Sequence, residues 1–198
     1  MSEDLLSRRK VLKGLSMGLA ADVVLRSIPL EAAAYAHEVI DTEKSTQATG
    51  YLPKFFTGNQ WNLLKALCEA ILPADADCGG AVVAGAPEFI DLLTSENPEW
   101  QRKLGGGLLW LDGICKDRFD NSFTDCTAAQ QKEILDLIAF RKNAEIDPIL
   151  VPGVAFFALL RNLTADGFFT SKIGIAYLGY QGNEFLLEFP GCPPVPGL

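Results

Sequence analysis

Apolar residues return at every third or fourth position through most of this chain, and that spacing confines what it can fold into. Trp61, Leu64, Leu67, Cys68 and Ile71 fall on one stripe, and Leu104, Leu108, Leu111, Cys115 and Phe119 on another. A period near 3.6 residues turns one face of an α-helix towards a core. Punctuation brackets these stripes. Thr57 or Asn59 can cap the first helix and Pro73 ends it, while Pro87 and Pro98 open the next two, a position where proline's missing N–H costs nothing. Thr127 to Gln130 read as a capping box ahead of Ile134, Leu137, Ile138 and Arg141. Val154 to Leu163 form a fifth, apolar helix with Pro152 near its start. No alternating β-branched run exceeds a few positions, so a sheet has nothing to form from. The expected fold is all-α: an irregular bundle of about five helices with a Gly/Pro/aromatic-rich C-terminal coil from Asp166 onward.

A bundle needs apolar volume, and 198 residues at 48% hydrophobic, with 12 Phe and 3 Trp, supply it. At that size a core forms without disulfides or metals. The formal charge of -8 argues against nucleic acid, whose phosphates demand a basic face. There is one histidine, His37. General-base, triad and histidine-ligated metal chemistries need an imidazole at the site. The chain is therefore expected to be no stand-alone enzyme, and no catalytic, cofactor-binding or metal-binding residue is assigned to it.

The N-terminus carries Ser7-Arg8-Arg9-Lys10-Val11-Leu12-Lys13 ahead of the apolar stretch Gly14 to Leu30. A charged region, an apolar region and a small-residue site define an export signal, and the paired Arg8 and Arg9 in this context resemble a twin-arginine (Tat) signal. Ala34-Tyr35-Ala36 fits the A-x-A cleavage rule, with Ala32-Ala33-Ala34 as a competing site. The alternatives are an amphipathic N-terminal helix or a membrane anchor; Asp22 and Arg26 interrupt the run, which falls short of a spanning helix. The organisation expected is a signal over residues 1–36, a flexible polar arm over 37–54 and a single helical domain over 55–198.

Several clusters invite chemistry and carry plainer readings. Asp75 and Asp77, with Asp91 further on, suggest a cation, but the twelfth position from Asp75 is Ala86, where an EF-hand needs Glu; caps and turns explain the acids as well. Gly105-Gly106-Gly107 lies inside a predicted helix with no strand before it, so it is no dinucleotide fingerprint. It marks close approach of another backbone, within the bundle or from a partner. Carboxylates such as Asp75, Asp77 and Asp166 could do acid–base work only at separations that a sequence does not supply. The five cysteines at 68, 78, 115, 126 and 192 contain no C-x-x-C. Cys68 and Cys115 fall on apolar stripes, and Cys192, in a proline-rich tail segment, is the choice for a bridge to another chain; an internal pair or a free thiol is the other reading.

Ordered blocks along the chain carry a resemblance. They are Ala70-Ile71-Leu72-Pro73-Ala74-Asp75, Gly80-Ala81 and Ala84-Gly85-Ala86-Pro87-Glu88-Phe89-Ile90-Asp91, then Thr164 to Ser171, Leu178-Gly179-Tyr180-Gln181-Gly182-Asn183 and Phe189-Pro190-Gly191-Cys192-Pro193. From Leu52 to Cys192 the chain resembles the gluconate 2-dehydrogenase subunit 3 family. The resemblance implies a noncatalytic small subunit of a membrane-bound dehydrogenase of the periplasm. In that arrangement a large glucose-methanol-choline-type (GMC-type) subunit holds FAD and oxidises the sugar or sugar acid, and a multihaem cytochrome c subunit, carrying haem c, takes the electrons. The small subunit assists maturation of the flavoprotein and escorts it through the Tat translocase. A free periplasmic ligand-binding or scaffold module is the alternative.

An escort must hold its cargo through transit, which calls for an obligate contact on the order of 2,000 Å². Phe168, Phe169, Tyr177 and Tyr180 are the expected anchors, with Cys192 beside them and the Gly105–Gly107 helix face as a further candidate. The alternative for the rings is closure of the bundle's end.

Overall fold

Eight α-helices order the described residues, which in this computed structural model are 28–47, 50–180 and 182. They are α1 (Leu30–Thr46), α2 (Gly58–Ile71), α3 (Ala86–Ser95), α4 (Pro98–Phe119), α5 (Ala128–Ala139), α6 (Arg141–Ile146), α7 (Val151–Phe169) and α8 (Lys172–Tyr177). Short 3-10 turns at Phe123–Asp125 and Pro148–Leu150 join α4 to α5 and α6 to α7. No strand occurs among the described residues. The five helices expected from periodicity are α2, α3, α4, α5 and α7.

Their ends follow the local chemistry. Pro98 starts α4 behind Asn97, whose side chain accepts from the N–H groups of Glu99 and Trp100, so two of the first-turn donors find a partner. At α5 the Thr127 hydroxyl accepts from Gln130 N–H while the Gln130 carboxamide accepts from Thr127 N–H at 2.9 Å.

α7 is the axis of the bundle, with α2, α3, α4, α5, α6 and α8 all packed against it. Residues 148–169 are long and apolar enough to cross a membrane by length and composition, and here a little under half of that stretch is buried inside the bundle. Two glycine notches set how closely α4 and α7 approach. A Cβ on Gly107 would collide with the Phe156 ring, and a Cβ on Gly153 would collide with Trp110. Each helix thus offers a bare Cα to an aromatic ring of the other. Of the glycine triplet, Gly105 and Gly107 are buried inside the bundle and Gly106 faces open space. Gly105 and Gly107 serve the chain's own packing, and Gly106 is the exposed member of the triplet.

Two expectations are corrected. Residues 37–54 are not a flexible arm. α1 runs through the expected boundary at 36, because Ala33, Ala36 and Ile40 continue a helical stripe that packs on Phe89 and Leu93; the stripe is built of small residues and is easily read as part of a cleavage site. Beyond it, residues 51–56 are fastened to α3 by Asp91. Nor does a coil begin at Asp166. α7 continues to Phe169 and α8 follows to Tyr177, since Gly167 sits where α7 touches Phe89 and Ala86 of α3 and does not break the helix.

Candidate partner interface

Among the described residues, the sequence blocks quoted above meet where α3 packs against α2 and α7. The Pro73–Gly85 loop folds back on α2: Ala81 N–H donates to the Leu72 carbonyl at 2.9 Å, and Glu69 accepts from Ala74 N–H at 3.1 Å and Val82 N–H at 3.2 Å. Asp75 accepts from Asp77 N–H at 2.9 Å and Cys78 N–H at 2.7 Å. That is a side chain closing its own turn, a job carboxylates do routinely. No group of three His, Cys, Asp or Glu side chains placed to hold a metal occurs among the described residues.

Asp91 has a different duty. Fully buried in α3, its carboxylate accepts four hydrogen bonds: from the Tyr51 hydroxyl at 2.9 Å and from the N–H groups of Lys54, Phe55 and Phe56 at 2.6, 3.0 and 2.8 Å. A buried carboxylate is tolerated only with such partners. Burial and the neighbouring Asp91 charge push the Tyr51 phenol far up, so Tyr51 stays a donor. The segment leading out of α1 is thereby tied to the core.

α1 then lies across α3 and the end of α7. The His37 ring stacks on Phe89 at 5.1 Å between centroids, and His37 Nε2 meets Thr170 Oγ1 at 3.0 Å. Because the Thr170 hydroxyl donates to the Asp166 carbonyl at 2.6 Å, it is left to accept from His37. Burial holds the imidazole below its ordinary value against the pull of Asp41 and the Gly167 carbonyl. Lys172 pairs with Asp41 at 2.7 Å, Lys44 with Glu88 at 2.7 Å and Lys54 with Glu43 at 2.6 Å. Burial also raises the Asp166 carboxyl.

Above this floor stands the apolar group expected to meet a partner. Phe169 is 38% exposed, Tyr177 54% and Tyr180 50%, with Leu178 exposed beside them. Phe168 departs from its expected role. It is 5% exposed and turns into the bundle, edge-on to Phe169 at 5.0 Å. Consecutive helical residues point about 100° apart, so one ring of the pair must face in when the other faces out. Phe168 closes the end of the bundle, and Phe169 belongs to the surface. Cys192, Arg8 and Arg9 lie outside the described residues.

A second apolar patch was missed from the sequence. Phe140, Ile146 (82% exposed), Ile149 and Val151 protrude around the α6 corner and the start of α7. Their signal was available: four large apolar residues within twelve positions, out of phase with any helix and flanking Pro148 and Pro152. Contiguous exposed apolar surface marks contact sites.

A protein-family model described as gluconate 2-dehydrogenase subunit 3 matches residues 58–191, a span that begins with α2 and runs through the described blocks. No curated protein and no solved structure matches the chain.

Proposed function

The chain belongs to the gluconate 2-dehydrogenase subunit 3 family, and we propose that it is the noncatalytic small subunit of a periplasmic FAD-dependent sugar or sugar-acid dehydrogenase. In this reading the chain supplies a docking surface and an export tag. A GMC-type flavoprotein docks on it, FAD stays in that large subunit, and haem c stays in a multihaem cytochrome c subunit. The twin-arginine pair Arg8 and Arg9 takes the loaded complex to the Tat translocase, and the complex then remains associated with the membrane.

The observation that supports it best is the exposed set Phe169, Tyr177, Leu178 and Tyr180, beside the His37–Thr170 and Asp41–Lys172 contacts that join α1 to the end of α7 and the start of α8. Rigid aromatic anchors lose little entropy on docking and dominate interface energetics. The lone imidazole has one ring face stacked on Phe89 and its Nε2 engaged with Thr170, a packing role that fits a division of labour between subunits.

The test is co-expression with the GMC-type flavoprotein proposed to dock on this chain. Changing Arg8 and Arg9 to Lys is expected to leave the flavoprotein in the cytoplasm, and Tyr177→Ser with Tyr180→Ser to lower its co-purification at least tenfold. An active, loaded flavoprotein that reaches the periplasm with both arginines changed would end the escort reading. An isolate from native membranes free of flavin and cytochrome would favour a free scaffold module instead.

A further inference from the structure

The small residues that look like a cleavage site are packed inside a helix. Ala34-Tyr35-Ala36 and Ala32-Ala33-Ala34 both fall within α1, whose Ala33 and Ala36 are 0% and 2% exposed against Phe89 and Leu93. We propose that the exported chain is not cut after Ala34 or after Ala36, and that α1 stays whole as part of the mature subunit. The alanines are there for helix packing: at 33 and 36, followed by Ile40, they give α1 a smooth stripe at 3- and 4-residue spacing on which α3 can lie close.

The physical case concerns access. A peptidase takes its substrate extended, so cutting α1 requires its first two turns to unwind and leave their cluster. The structure opposes that along the length of the helix. Ala33 N–H donates to the Pro29 carbonyl at 3.0 Å. The residue that would become the new N-terminus after Ala36 is His37, stacked on Phe89 and bonded to Thr170. One turn further, Asp41 pairs with Lys172, and beyond it Glu43 and Lys44 pair with Lys54 and Glu88. Segments with many buried contacts open rarely, and proteolysis follows opening.

A cut would also leave a worse protein. A cut after Ala34 would strip Ala33 from the cluster, a cut after Ala36 would strip Ala33 and Ala36, and either would bare part of Phe89 and Leu93. Either cut would set a cationic amino group at the start of the remaining helix, the end where positive charge is disfavoured. The proposal rests on the export reading in one respect: Tat cargo is folded before it crosses, so α1 is already docked when it reaches the outer face. Retention of α1 deepens that reading, because α1 then stays joined to the start of α8 through the Asp41–Lys172 pair in the finished complex.

Intact mass and N-terminal sequencing of the small subunit, taken from the exported complex of the full chain, decide the matter. An N-terminus at or before Pro29 is expected, and one at Tyr35 or His37 overturns the proposal. A second arm separates packing from sequence. The purified folded chain and a synthetic peptide of residues 28–47 are each incubated with signal peptidase in detergent. The expected result is a peptide cut after Ala34 or Ala36 and a folded chain left intact at both bonds. Equal cutting of the two, or a peptide that also resists, removes packing as the cause. Whether Arg8 and Arg9 drive export is scored separately by fractionation, and the peptidase arm gives its answer even for a chain that never leaves the cytoplasm.

Discussion

The Tyr51 hydroxyl donates to the Asp91 carboxylate at 2.9 Å across 40 residues of chain, and three backbone N–H groups converge on the same carboxylate. Asp91→Ala would take the shared acceptor from four donors, of which the Phe56 N–H is buried and the other three partly so, each bond to a charged group being worth roughly 1.5–3 kcal/mol. A loss of at least about 3 kcal/mol is expected in urea unfolding. Asp91→Asn should cost less. Its carbonyl oxygen can keep the bonds from Phe55 and Phe56, while its amide faces the Lys54 N–H and can still donate to Tyr51. A neutral Asp91→Ala would show that residues 51–56 are held by something else.

The glycine notches predict opposite signs within one triplet. Gly107→Ala pushes a methyl into the Phe156 ring and is expected to cost about 1–3 kcal/mol, as overpacking does. Gly106→Ala meets nothing within 4 Å and is exposed, so it should stabilise by about 0.5–1 kcal/mol through the helix preference of alanine. Thermal unfolding of the two variants side by side checks this, and a shared direction would contradict the packing described for α4 and α7.

Why some of this was legible and some not can be argued from particular residues. Leu104, Leu108, Leu111 and Cys115 announced α4 because large apolar side chains carry a strong period. The buried stripe of α1 is mostly alanine, and alanine sits equally well in a leader and in a packed helix. Gly167 and Gly174 suggested coil, since glycine disfavours helices on its own; tertiary contact with Ala86, Phe89 and Phe168 decided otherwise. Asp91 stood in the sequence as a stray acid. Its donors are backbone N–H groups more than thirty residues away, and those leave no mark in composition. The all-α class rested on period alone and was therefore readable. Which of Phe168 and Phe169 faces outward depended on how far α7 continues, and the sequence ended it too early.

His37 gives the chain a pH dependence with a definite sign. Burial lowers its folded-state pKa from 6.5, opposed by Asp41 and the Gly167 carbonyl and assisted by Lys44 and Lys172. As pH falls, the unfolded chain takes up this proton first, so the contribution is complete above about 6.5 and declines as pH drops towards the folded-state value. It is the chain's single imidazole. The urea midpoint is expected to fall between pH 7 and pH 5, and His37→Gln to flatten that slope. Asp166, raised by burial, acts with the opposite sign from 3.8 upward. A slope unchanged in His37→Gln would show that His37 is not its source.

The thiols should sort by environment. Cys68 lies buried beneath the Thr164 hydroxyl, Sγ to Oγ1 3.6 Å, and burial pushes its thiol up to about 12. Cys115, buried beside Cys126, is pushed up to about 12 as well. Only the thiolate reacts. At pH 8 a thiol of pKa 12 holds roughly a ten-thousandth of its population in that form, against about a quarter for an ordinary one. Alkylation of Cys68 and Cys115 in the native chain is therefore expected to run about a thousandfold slower than in urea, before access is counted. Cys78 sits half-buried in the loop that Asp75 closes, where reagent can reach it, so it should react natively and much sooner. Peptide mapping of a timed alkylation resolves each site, and native labelling of Cys68 at the rate of Cys78 would mean that the contact between α2 and α7 opens far more often than its burial implies.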